Sequence, residues 1–84
     1  MAKARKTLVA LFASPIRLNI AWNDLLSMLG SFGAAIATDV GGSMHSVTFK
    51  GRTIVLHKPH PGSEIPPAMV RRVRQFLRDA GVQP

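Results

Sequence analysis

The sequence predicts one α+β domain in which a helix, three antiparallel strands and a second helix follow in order, with both helices on one face of the sheet and a short extra helix at the N-terminus. Three observations carry this. Apolar residues recur at helical spacing from Trp22 to Phe32 and again from Met69 to Ala80. The stretch between them is strand-like and broken by Gly-rich turns. The 84 residues are enough for one thin core and no more.

Along the chain, Leu8, Leu11 and Phe12 fall at helical spacing and end before Pro15, which predicts an N-terminal helix of about two turns that reads as an appendage. Residues 1–18 are accordingly taken as a basic N-terminal segment and 19–84 as the principal domain. Trp22, Leu25, Leu26, Leu29 and Phe32 then mark an amphipathic helix over about Ile20 to Phe32, with Gly33 suited to the left-handed position after its end. Past Gly33 the period changes. Ala34 to Thr38, Met44 to Lys50 and Arg52 to His57 predict three strands, joined by turns at Gly41-Gly42-Ser43 and Lys50-Gly51. Pro59, Pro61, Gly62, Pro66 and Pro67 make the next segment a constrained loop that cannot extend the sheet. Pro66 and Pro67 suit a first helical turn, where backbone donors lack partners anyway. Met69, Val70, Val73, Phe76, Leu77 and Ala80 form one stripe, and Gly81 stops the helix. This order is the α-β-β-β-α layout of double-stranded-RNA-binding domains, which by itself says little about activity.

Charge narrows the partner. Eleven Lys and Arg against four Asp and Glu give a net charge of +7, which points to a polyanion, nucleic acid before membrane. The apolar run from Thr7 to Ala13 is seven residues long, too short to span a bilayer, and Pro15 and Arg17 directly after it argue against a secretory leader. With no cysteine there is neither a disulfide framework nor a thiolate zinc site, so a cytoplasmic location is expected. A domain this small leaves little room for an enclosed pocket, so the substrate is expected on a surface and no small-molecule substrate is predicted.

The segment His60-Pro61-Gly62-Ser63-Glu64-Ile65-Pro66-Pro67-Ala68-Met69-Val70, running on to Phe76-Leu77-Arg78-Asp79-Ala80-Gly81, resembles the C-terminal signature of the HicA family of toxin ribonucleases. Upstream, Gly42-Ser43 before a strand resembles that family's Gly-Ser-His turn, and Leu56-His57-Lys58-Pro59-His60-Pro61 is similar to a branch with a His-basic-Pro-His-Pro loop. Together the matches run in order from about Trp22 to Val82. The resemblance implies a toxin that cleaves mRNA, arrests growth, and is neutralised by a HicB-like antitoxin, with catalysis by the histidine of the Gly-Ser-His turn. Here Gly42-Ser43 is followed by Met44, and the histidine comes one residue later, as His45. In a strand that shift moves the imidazole to the other face of the sheet unless a bulge near Gly41-Gly42 corrects it.

Metal-independent RNA cleavage needs a base for the 2′-hydroxyl proton, an acid or solvent for the leaving oxygen, and cations near the phosphate. Histidine serves either proton role. His45, beside a turn where a phosphate can approach the backbone at Gly42-Ser43, is the leading candidate, with His57 and His60 as alternatives. Against it, His45 shares strand parity with Val47 and Phe49, which marks it equally as a core histidine. His57 and His60, flanking Lys58-Pro59, read either as an RNA-facing loop or as backbone-bonded supports. Asp24, Asp39, Glu64 and Asp79 lie on separate elements, and His57-x-x-His60 has no evident third ligand, so no metal or other cofactor is expected. Ser43, Lys50, Arg52 and Lys58 are the candidate RNA contacts. Four arginines fall within eight residues, and Arg71, Arg74 and Arg78 share one helix face, with Arg72 to the side. They read as an antitoxin or phosphate contact, or else as a solvated face whose later members complement the helix dipole. Trp22 and Phe32 read as core. Two other functions fit the same fold: a non-catalytic RNA-binding module in which Met44 records a lost catalytic position, and a partner-binding subunit using the Arg71 to Arg78 face.

Overall fold

The computed structural model describes residues 2–59 and 64–84. Its elements are α1 (Ala2–Leu11), α2 (Trp22–Ser31), β1 (Ala35–Thr38), β2 (Met44–Phe49), β3 (Arg52–His57) and α3 (Pro67–Asp79), which is the expected α+β order with the extra N-terminal helix. The strands form one antiparallel sheet in the order β1-β2-β3.

The helix α1 runs ten residues rather than about two turns, because Ala2, Ala4 and the Lys and Arg between and after them are strong helix formers that extend it toward the N-terminus. Nor is it an appendage. Leu8 and Leu11 lie in the same buried cluster as Leu25 and Leu29 of α2, and Val73 and Leu77 of α3. Its C-terminal end is held by the Arg74 guanidinium, whose Nε donates to the Leu11 carbonyl at 2.9 Å and whose Nη2 donates to the Ala13 carbonyl at 3.0 Å.

The second helix starts at Trp22, two residues later than the apolar spacing implied. Ile20 and Ala21 are used differently: the Ile20 carbonyl accepts the Ile65 N–H at 2.9 Å and Ala21 pairs with Glu64, so Glu64 and Ile65 are tied to the chain just ahead of α2. Both α2 and α3 end in the same way. Gly33 and Gly81 take positive φ of 94° and 83°, and the next residues, Ala34 and Val82, donate back to Leu29 and Leu77 at 3.1 and 2.8 Å. That closes orphan carbonyls at both helix ends.

Alternation along the strands divides the sheet. Val47, Phe49 and Leu56 are buried under the helices, with Ile36 and Ile54 packed beside them. Ala35, Ala37, Thr48, Thr53, Val55 and His57 are exposed on the other face, and Met44 and Ser46 are half-buried there. Among the described residues, no helix covers this second face.

Candidate active site

The turn before β2 is built from Asp39. Its N–H donates to the Met44 carbonyl at 3.0 Å, its carbonyl accepts the Gly42 N–H at 3.0 Å, and its Oδ1 accepts the Met44 N–H at 3.3 Å. Gly42 has φ of 79°, a conformation that costs glycine nothing. The pairing then runs without a break, from Thr38 opposite His45 to Ala35 opposite Thr48 on one side, and from Met44 opposite His57 to Phe49 opposite Arg52 on the other. No bulge interrupts either ladder of β2, so strand parity decides the faces: Met44 is on the open side and His45 is under the helices.

His45 is 8% exposed. Its Nδ1 is 3.1 Å from the Thr38 hydroxyl oxygen, and its ring meets Trp22 edge-on, with centroids 5.1 Å apart and planes at 63°. Its Nε2 is buried without a hydrogen-bond partner among the described residues. The sheet itself lies between this imidazole and anything that docks on the open face.

His57 is placed in the opposite manner. It ends β3, is exposed, and stands directly across from Met44. One residue on, the Lys58 N–H donates to the Ser43 carbonyl at 2.8 Å, extending the ladder and fixing the turn to the strand end. Ser43, Met44, His57 and Lys58 are thereby gathered at one end of the β2–β3 hairpin. Beside them, a depression of about 190 Å³ is lined by Ala37, Thr38, Asp39, Met44, Ser46 and Val55. It is open and too small to enclose a nucleotide. His60 lies outside the described residues.

The other candidate contacts are not brought to this end. Lys50 and Gly51 form the two-residue turn of the hairpin, both with positive φ (51° and 78°), and the Lys50 ammonium sits 5.6 Å from the Phe49 ring centroid. Lys50 and Arg52 are therefore about five residues along the hairpin from His57, roughly 17 Å at the usual strand rise. Most of the arginines of α3 have internal partners. Arg72 Nη2 donates to the Val55 carbonyl at 3.0 Å, Arg74 caps α1, and Arg74 and Arg78 stand 5.9 and 5.4 Å from the Phe12 ring centroid. Arg71 is exposed and makes no ion pair or side-chain hydrogen bond among the described residues. Also among them, no three His, Asp or Glu side chains cluster as a metal site would require, and no helix is long and apolar enough to cross a membrane.

Residue-level reading of the sequence missed Asp39 and the pairing of Met44 with His57. An aspartate opening a Gly-Gly-Ser turn was a usable signal for the first. The second followed from the Lys50-Gly51 turn, since a two-residue connection fixes the register of the whole hairpin.

Residues 22–82 match the family described as HicA toxin of bacterial toxin-antitoxin. The chain belongs to the HicA toxin family. It is thus the toxin of a toxin–antitoxin pair, with a cognate antitoxin as its partner. The HicA match opens at the first residue of α2 and closes at Val82, the residue that caps α3, so α1 lies outside it. No curated protein and no solved structure matches the chain.

Proposed function

We propose that this HicA toxin is a metal-independent endoribonuclease that cleaves mRNA in the cytoplasm, arrests growth, and is neutralised by a HicB-like antitoxin, and that His57 rather than His45 carries the proton transfer. One observation supports this assignment above the others: the residue after Gly42-Ser43, where the family's turn has histidine, is Met44, and His57 is its cross-strand neighbour on the open face. Side chains of directly opposed residues lie about 5 Å apart at Cβ, so His57 offers an imidazole within one residue's width of the family position. His45, one residue along, faces Trp22 instead.

The chemistry follows from what an exposed imidazole beside a lysine does. A phosphodiester laid over Ser43 and Met44 puts its ribose against His57, which takes the 2′-hydroxyl proton. The 2′-oxygen then bonds to phosphorus, and the 5′-oxygen leaves with a proton from the imidazolium or from water. The products are a 2′,3′-cyclic phosphate and a 5′-hydroxyl. Lys58 supplies positive charge as the phosphorane gains negative charge, and the glycines of the turn let the backbone come close. Lys50 and Arg52 stand at the far end of the hairpin, Arg52 in step with Ile54 and Leu56 of the covered face, so they contact RNA only where it passes around the hairpin turn and read no sequence there. Arg71, whose guanidinium makes no ion pair or hydrogen bond among the described residues, is left for antitoxin or phosphate.

The experiment is cleavage of an mRNA by purified protein in the presence of a chelator. His57→Ala lowers the cleavage seen with the unsubstituted protein by about 10²–10⁴-fold, whereas full activity of that variant removes His57 from the reaction. A second reading is favoured by Met44 itself: with a thioether at the family's histidine position, the chain binds RNA without cutting it. Retention of RNA on a filter with no cleavage products distinguishes the two.

A further inference from the structure

Among the described residues, Lys3 is the one cation ahead of the HicA match that the fold pairs with an acidic side chain. Residues 1–21 contain Lys3, Arg5, Lys6 and Arg17 and no acidic residue. Three of these cations sit in the first half of α1, where no acidic side chain occupies the first turn. A cation there opposes the positive end of the helix macrodipole, and Lys3 and Lys6, three residues apart, repel each other on one face. Stability alone disfavours this arrangement. The remaining basic residues of the chain include several committed to holding the fold together, as Arg72 and Arg74 are, but Lys6, Arg5 and Arg17 are exposed and form no ion pair among the described residues.

The fold gathers these charges around a concavity. Between α1 and the segment leading into α2 there is an open cleft of about 520 Å³, lined by Lys3, Lys6 and Arg17 together with Thr7, Asn19 and Asp24. Asp24 is engaged with Lys3 at 3.1 Å, and Lys3 remains 75% exposed on its side chain. Lys6 and Arg17 also line an adjoining depression of about 480 Å³ with Arg5 and Val9. Lys6 and Arg17 thus stand on the shared border of two concavities, with a further cation on either side.

We infer that this cleft binds the phosphate backbone of RNA, as a second contact separate from the open face of the sheet. The inference rests on the ribonuclease reading for the identity of the polyanion. The chemistry of the cleft favours phosphate over an acidic protein segment. Arg17 offers a planar fork suited to a phosphate oxygen pair, Lys6 adds a point charge, and the Asn19 amide adds neutral donors. Ala10 and Ile20 add apolar surface to the lining, which among the described residues holds no aromatic side chain of the kind that anchors a peptide. Contacts of this type give affinity and position and carry no sequence preference.

The test uses the full chain and a 20-nucleotide single-stranded RNA, with affinity measured from low to moderate salt. The double substitution Lys6→Gln with Arg17→Gln removes two phosphate contacts, so the slope of log K against log salt becomes shallower by about 1.4 and binding at low salt weakens. The charge-conserving pair Lys6→Arg with Arg17→Lys retains most of the slope. All the substituted side chains are exposed, and an unchanged far-ultraviolet dichroism spectrum and melting temperature separate lost contact from lost fold. An unaltered slope in the glutamine variant, against an unsubstituted protein that binds RNA, overturns the inference and leaves the open-face reading standing. So does a variant that keeps its RNA affinity and instead loses affinity for poly-glutamate. An unsubstituted protein without RNA affinity overturns both readings.

Discussion

Met44 and His57 face each other across the first rung of the β2–β3 hairpin, on the face of the sheet opposite the buried Val47 and Leu56. The pairing puts an exposed imidazole beside the Gly42-Ser43 turn, while the nearby histidine in sequence, His45, is turned the other way into contact with Trp22. Substitutions at the two histidines therefore separate in their effects. His57→Ala removes a proton acceptor from the surface and leaves packing alone, so RNA cleavage falls by about 10²–10⁴-fold while the melting temperature stays within about 2–4 °C. Single-turnover cleavage and thermal unfolding of the same preparation check both halves.

Met44→His gives a sharper test of the same geometry. It restores histidine after Gly42-Ser43 and places two imidazoles about 5 Å apart at Cβ, close enough for one to act as base and the other as acid. Cleavage increases by about 10-fold or more if proton donation to the leaving oxygen limits the reaction. A variant that folds and cuts no faster than the parent shows that the position opposite His57 does not reach the scissile linkage.

How far this site was legible depended on which constraint set each residue. The strands, both principal helices and their glycine stops follow from local patterns, and so does the inward parity of His45 with Val47 and Phe49. The Met44–His57 pair was legible too, by counting back from the two-residue turn at Lys50-Gly51. What no local pattern carried is the destiny of the arginines. Arg74 and Arg78 look like one solvated ridge with Arg71 along α3, yet they stand over Phe12, which is more than sixty residues away in sequence. The place of α1 in the core was hidden for the same reason, since its partners Leu25, Leu29 and Leu77 come from elements that only tertiary packing brings to it.

The buried ring of His45 makes a prediction about stability. Its Nδ1 is paired with Thr38, but its Nε2 has no partner among the described residues. A buried polar atom of that sort costs about 1–3 kcal/mol, and the Thr38 contact returns about 0.5–1.5 kcal/mol. His45→Phe keeps a ring against Trp22, frees the sheet of the unpaired nitrogen, and lets the exposed Thr38 hydroxyl turn to water. Stability by urea denaturation is therefore equal or higher by about 1 kcal/mol, and RNA cleavage is retained. Loss of cleavage in a variant this stable would return the catalytic role to His45.

Arg74 is the residue on which the attachment of α1 turns. The last turn of α1 contains no basic side chain of its own, and Arg74 of α3 donates to the carbonyl of its final residue, Leu11, and to that of Ala13 just beyond it. These are charge-assisted bonds at the negative end of a helix dipole, made by a half-buried guanidinium that also lies over Phe12. Arg74→Ala leaves those carbonyls without their donors and costs about 2–4 kcal/mol, at the scale of one to two charge-assisted hydrogen bonds. Arg74→Lys restores a charge but not the fork, and recovers less than half of the loss. The deficit is local: amide hydrogen exchange accelerates in residues 5–12 well before it does in β2 or β3, because α1 packs chiefly on α2 and α3. Exchange that rises uniformly through the sheet and all three helices would mean that α1 does not open separately from the rest of the domain.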